Sequence, residues 1–161
     1  MRTLRRLSAL ALLLLAAACD ENPTSSGDGR MRARLEGDLW NGDAEVFFLQ
    51  DTVVLQSKAP LDVSKVNFSG TTSSWRSLVL YLVASGPGEY QVVPGKGGYE
   101  EILQGDMVTY AARVTAGTVR FTILGQGQEV AEGRVDDVRI EGSSGVWSFD
   151  EGGFTAEVRQ F

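Results

Sequence analysis

Beyond residue 30 the chain alternates apolar and polar residues with a period of two, or runs wholly apolar for a few positions, and rarely does anything else. The segments that carry this pattern are residues 31–36, 44–50, 52–58, 65–69, 77–84, 89–93, 107–114, 118–124, 130–134, 138–141, 146–149 and 154–160. Gly, Asn, Asp and Ser fill the gaps, at a spacing close to that of strands in an all-β sandwich or barrel. No stretch of ten or more residues carries the helical period. A single turn near residues 99–103 is the one helical element the pattern allows. The prediction is an all-β domain over residues 31–161: an antiparallel β-sandwich or barrel of about 10–12 short strands.

Some segments say more. Leu78-Val79-Leu80-Tyr81-Leu82-Val83 is apolar on both faces, which predicts a strand covered on both sides. Residues 118–123 alternate, with Val119, Phe121 and Ile123 inward. Thr115-Ala116-Gly117 separates them from residues 110–114 and predicts a hairpin. The last strand sets Phe154, Ala156 and Val158 on one face. Trp40 and Trp147 lie in apolar patterns and are assigned to the core. Trp75 and Tyr99 lie in polar stretches and are the candidate ligand-contact aromatics, because loop aromatics stack on sugars or anchor partners. The competing reading folds them back to cap the core. Arg30, Arg32 and Arg34 alternate and predict a basic strand edge, suited to resisting unwanted pairing or to touching lipid.

The first residues follow a different rule. Arg2, Arg5 and Arg6 precede an apolar run from Leu7 to Ala18, broken only by Ser8 and ending in three alanines before Cys19. A basic start, a short apolar stretch and small residues at a cleavage point describe an export signal. Its 12 residues fall short of the ~20 that a membrane-spanning helix needs. Leu15-Ala16-Ala17-Ala18-Cys19 resembles the lipobox of bacterial lipoproteins, with Ala16 where leucine usually stands. That resemblance implies cleavage before Cys19, lipid on its thiol and a membrane anchor. The chain holds no second cysteine for a disulfide. The division expected is residues 1–18 as signal peptide, 19–30 as lipidated cysteine and flexible tether, and 31–161 as the domain. Residues 20–29, DENPTSSGDG, have nothing to bury except Pro23.

Charge and composition narrow the chemistry. Without residues 1–18 the chain keeps 12 basic and 21 acidic residues, a net charge of −9. Such a surface repels phosphate backbones, so no nucleic-acid partner is expected. The chain has no histidine. Ser-His-Asp and Cys-His nucleophiles, histidine metal sites and the usual near-neutral base are therefore excluded. If Cys19 carries lipid, no thiolate remains.

The remaining motifs read as structural. Pro94-Gly95-Lys96-Gly97-Gly98 lacks the spacing of a phosphate loop. Glu100-Glu101, Asp136-Asp137 and Asp150-Glu151 are acidic neighbours whose side chains diverge on a strand. The stretch Asp38-Leu39-Trp40-Asn41-Gly42-Asp43 lacks calcium-loop spacing. Ser57-Lys58 and Ser64-Lys65 are adjacent, which argues against a Ser–Lys dyad on a strand. No catalytic residue, cofactor or metal is expected.

Short motifs resemble a family of small uncharacterised bacterial lipoproteins with one all-β domain. They are Gly37-Asp38-Leu39-Trp40, Gly88-Glu89-Tyr90, residues 117–123, residues 145–149 and the terminal Phe161. The resemblance implies a lipid-anchored domain in the cell envelope and brings no activity or site. The outer membrane is the expected anchor, with the domain facing the periplasm or the cell surface. The function expected is a non-enzymatic binding or envelope-interaction module, its partner an envelope protein or a glycan. The alternatives are a carrier of a small apolar ligand, a glycan-binding β-domain, and a carboxylate-based hydrolase. An open-mouthed barrel favours the carrier, a filled core the interaction module, and two converging carboxylates the hydrolase.

Overall fold

The computed structural model describes residues 29–61, 74–103 and 107–160. The leader, Cys19, most of the tether, Ser64-Lys65, the predicted strand 65–69 and Phe161 lie outside the described residues. Among the described residues nine strands run in order: β1 Arg30–Leu35, β2 Asp38–Leu49, β3 Thr52–Pro60, β4 Trp75–Leu82 and β5 Gly88–Gln91, then β6 Gly98–Leu103, β7 Met107–Ile123, β8 Val130–Gly142 and β9 Gly145–Arg159. No helix occurs among the described residues. Between sandwich and barrel, the structure is a barrel. Antiparallel pairing runs β6-β4-β3-β2-β1-β9-β8, and β7 joins β8 to β6, closing an eight-stranded ring. β5 lies outside the ring, paired with the second half of β7. Among the described residues the one parallel contact joins Glu45–Phe47 of β2 to Glu157–Arg159 of β9, beyond the start of β1.

Closure needs strands that bend, and three predicted strand pairs turn out to be single bent strands. Residues 107–114 and 118–124 merge into β7, 130–134 and 138–141 into β8, and 146–149 and 154–160 into β9. The hairpin predicted at Thr115-Ala116-Gly117 is a double register shift between β7 and β8. Gly117 has φ +145, and a Cβ there would stand 2.6 Å from Val138 Cγ2 and 2.8 Å from its Cα. Only glycine lets β7 cross so close to β8. Asp137 and Glu151 adopt φ 51 in the middle of β8 and β9. Two of the acidic pairs are thus places where a strand bends.

The predicted turn near residues 99–103 is strand β6 instead, paired with β4 and β7. β1 and β2 join through Glu36 and Gly37, at φ 49 and 83, the pair of positive angles a two-residue I′ hairpin requires. β1 is paired on both sides, so Arg30, Arg32 and Arg34 face outward from a wall and guard no edge.

Alternation fills the interior. Leu55, Leu78, Leu80, Leu82, Val46, Val114, Ile140, Phe121 and Phe154 are fully or almost fully buried. Val119 and Phe121 point inward as expected, and Ile123 is half-buried. From Leu78 onward β4 is fully covered on its inner face only: Val79 and Tyr81 are half-buried, and Val83, just past its end, is exposed. A single closed wall has no second layer to cover its outer side, which is why the doubly apolar reading fails there.

Candidate functional site

One end of the barrel is aromatic. Trp40, from the start of β2, is completely buried, and its indole N–H donates to Ser57 Oγ at 2.9 Å. Phe149 meets Trp40 edge-on at 5.2 Å, and Tyr99 lies at 6.4 Å. Tyr99 is in turn edge-on to Trp147 at 5.5 Å, and Tyr110 stacks on Trp147 at 4.7 Å. These rings come from β2, β6, β7 and β9, and offset or edge-on pairs of this kind add to their burial energy.

Above the rings the end opens into a cleft of about 500 Å³. Leu35 and Glu36 enter from the end of β1, Asp38 and Leu39 from the start of β2, and Pro60 and Leu61 from the end of β3. Arg76, Tyr99, Glu101 and Trp147 complete the lining. Arg76 and Glu101 sit directly opposite each other across β4 and β6, and Leu78 and Tyr99 form the next inward pair below them. The period of two places all four on the inner face and Glu100 on the outer one.

Arg76 is the cationic centre. Its guanidinium lies 4.8 Å from the Trp40 ring centroid, and Nη2 donates to Leu39 O at 2.8 Å. Nε is buried and has no partner among the described residues. A buried donor without an acceptor costs ~1–3 kcal/mol. The Tyr99 hydroxyl donates to Glu101 Oε1 at 2.8 Å. Burial first, and the Glu101 carboxylate second, push the Tyr99 phenol well above its ordinary range, and Arg76 opposes them only in part. Glu36 binds Ser148 twice: its amide donates to Ser148 O at 3.0 Å, and its carboxylate accepts from Ser148 N. Glu36, Asp38 and Glu101 line the cleft without forming a group able to hold a metal ion.

The two candidate aromatics part company. Tyr99 is no loop residue: it is 1% exposed within β6, and its hydroxyl helps form the floor of the cleft. Its Gly-Gly neighbours suggested a turn, but Gly97 and Gly98 lie where β6 passes close to Val79 O and Ala112 O. Trp75 is half-buried at the first position of β4, paired with Pro60 and Ile102. It faces away from Arg76, outside the lining of the cleft. Trp40 sits in the core as expected, and Trp147 is half-buried at its margin. Ser57 is buried beneath Trp40 and Lys58 is exposed, so these neighbours diverge as predicted.

Sequence reasoning missed Arg76, Glu36, Asp38 and Glu101 as one group. The trace of it was an arginine near the start of the largely apolar strand β4. No protein-family model, curated protein or solved structure matches the chain.

Proposed function

We propose that the chain is a non-enzymatic binding domain, held on a bacterial membrane by lipid on Cys19, which takes a small ligand into the open end of its barrel. The observation that carries this reading is Arg76. Its guanidinium, fixed over Trp40 and bonded to Leu39 O, converges on an open, aromatic-floored cleft with the carboxylates of Glu36, Asp38 and Glu101. Concave sites with a few convergent polar groups among apolar ones are the usual form of small-ligand sites, and about 500 Å³ is within their usual size. The filled interior favours a ligand seated at the rim over one enclosed within the barrel. Tethering would raise the concentration of such a site near the envelope surface.

The test has two arms. Palmitate labelling of cells expressing the chain reads the anchor: label on the native chain and none on Cys19→Ser is expected. Ligand-induced thermal shifts of native chain and Arg76→Met read the site: shifts confined to the native chain are expected. Equal shifts in both would remove the mouth from the account. A second reading, carboxylate-based hydrolysis, draws support from the three carboxylates on one cleft. Turnover of chromogenic glycosides that is lost in Glu101→Gln would favour it over simple binding.

A further inference from the structure

We infer that the outer wall of the barrel around Val83 docks on the lipid bilayer, so that the mouth opens away from the membrane; this rests on the lipid anchor at Cys19 proposed above. On the outer face of the wall, Phe47 of β2 pairs with Val54 of β3, and Val54 with Tyr81 of β4. Val54 is buried from the outside, apart from the core that fills the barrel. Val79 and Tyr81 are half-buried beside it. The period of two puts Leu49 and Val83 on the same outer face, nearer the end of the barrel, where they are 46% and 67% exposed. Residues 78–83 are apolar on both faces, and the barrel core takes up only one of them.

The path of the chain into the barrel selects the occupant of this wall. Gly29 O accepts from Ala44 N of β2, and β1 runs from there toward the mouth. The chain before Gly29 therefore meets the barrel on the half that holds Leu49 and Val83. Cys19 stands 29 − 19 = 10 residues earlier, a reach of at most ~36 Å. From Ala44, β2 extends only ~17 Å further to Leu49. Lipid on Cys19 thus keeps this wall within reach of the bilayer surface. Tethering makes the docking intramolecular, so a small apolar area suffices. A free protein partner would need ~800 Å² on each side, far more apolar surface than these few side chains leave exposed. Tyr81 adds an aromatic ring of the kind found at lipid–water boundaries. Beyond residue 18 the net charge is 12 − 21 = −9, which suits a zwitterionic surface over an anionic one. The mouth lies at the other ends of the same strands. The 12 residues of β2 lead from Asp38 at the rim to Leu49, ~30 Å along a tilted barrel wall. Docking through Val83 therefore holds Arg76 and Trp147 off the bilayer and opens the cleft to water.

The experiment measures depth by tryptophan quenching. The native tryptophans, Trp40, Trp75 and Trp147, all lie at the mouth end. The lipidated full chain and its Val83→Trp and Leu49→Trp variants are reconstituted in phosphatidylcholine vesicles with and without brominated phosphatidylcholine. Arg139→Trp, exposed on β8 on the opposite side of the ring, is the control. Palmitate labelling reads the anchor separately, and circular dichroism checks folding, with two docking positions in case one variant does not fold. Brominated lipid should quench the added tryptophan of Val83→Trp and Leu49→Trp and leave the emission of the native chain and of Arg139→Trp unchanged. Label on Cys19 with no quenching at either folded variant overturns the docking and leaves the anchor. No label overturns the anchor and the docking with it. Quenching of the native chain or of Arg139→Trp equal to that of Val83→Trp overturns the orientation. A dimer of the Cys19→Ser chain in sedimentation, dispersed by Val83→Glu, assigns the wall to a second copy and overturns the inference as well.

Discussion

The bond between Trp40 and Ser57 ties the aromatic end of the barrel to its wall, and its worth can be measured. Trp40 is 0% exposed and Ser57 is 1% exposed, so no water can replace either partner. Ser57→Ala removes one small oxygen and leaves little cavity, but it strands the indole N–H in the core. That desolvated donor costs ~1–3 kcal/mol. Trp40→Phe costs ~3 kcal/mol or more, through the lost ring volume and the weakened Arg76 contact. With the indole gone, Ser57→Ala has no N–H to strand and should cost only ~0–0.5 kcal/mol. The coupling expected from the double-mutant cycle is therefore ~0.5–3 kcal/mol. Urea denaturation followed by far-ultraviolet circular dichroism reads it without relying on tryptophan emission, and unchanged m-values would show that the unfolded states are comparable. If Ser57→Ala costs the same in both backgrounds to within ~0.3 kcal/mol, the indole and the hydroxyl are not bonded and the packing described for this end is wrong.

Gly117→Ala should destabilise the fold by ~2 kcal/mol or more, because the new methyl meets Val138 at a backbone angle that side chains avoid; a loss under ~0.5 kcal/mol would contradict the crossing of β7 and β8. Glu151→Gly should be neutral or stabilising by up to ~1 kcal/mol, since φ 51 costs an ordinary residue and not glycine; a clear loss in urea denaturation would count against that bend. Tyr99 should make stability fall at alkaline pH. Its folded phenol is raised above the ordinary value of 10.0, so the unfolded chain releases that proton first. The contribution is complete below about pH 10 and is lost as pH climbs above it. Tyr99→Phe should flatten this slope in denaturation curves taken from pH 8 to 11, and an unaltered slope would refute the assignment. Cys19→Ser should move the chain from the membrane to the soluble fraction, and persistent membrane association would count against a lipid anchor.

The strand-forming character of the chain was legible because most described strands bury one face, and one-sided burial writes a period of two. Strand number was not. Thr115-Ala116-Gly117, Asp136-Asp137 and Glu151-Gly152-Gly153 carry residues that mark turns, and within a closing barrel the same residues mark bends in continuous strands. β6 was hidden by its composition: one glycine and two glutamates flank its one buried tyrosine, and another glycine precedes the strand. The choice of barrel over sandwich depends on β7 pairing with β8 and β6 together, and alternation within a strand says nothing about its neighbours. The cleft was hidden for the same reason. Glu36, Arg76, Glu101 and Trp147 lie far apart in sequence and meet only because their strands end at the same rim. Once register is known, the Arg76–Glu101 pairing follows directly.

The central claim is that one end of the barrel, and not its filled interior or its opposite end, receives a ligand. Chemical-shift mapping of the isotopically labelled full chain, titrated with a small ligand that raises its thermal transition, tests this most directly. The indole resonance of Trp147, the side chain of Arg76 and the amides of Glu36, Leu39 and Glu101 should move together. Core positions such as Leu80 and Phe121, and the distant cleft beside Phe48, Val83 and Gln126, should stay still. Shifts centred on Phe48, Val83 and Gln126, or no shifts at the Arg76 rim, would contradict the account.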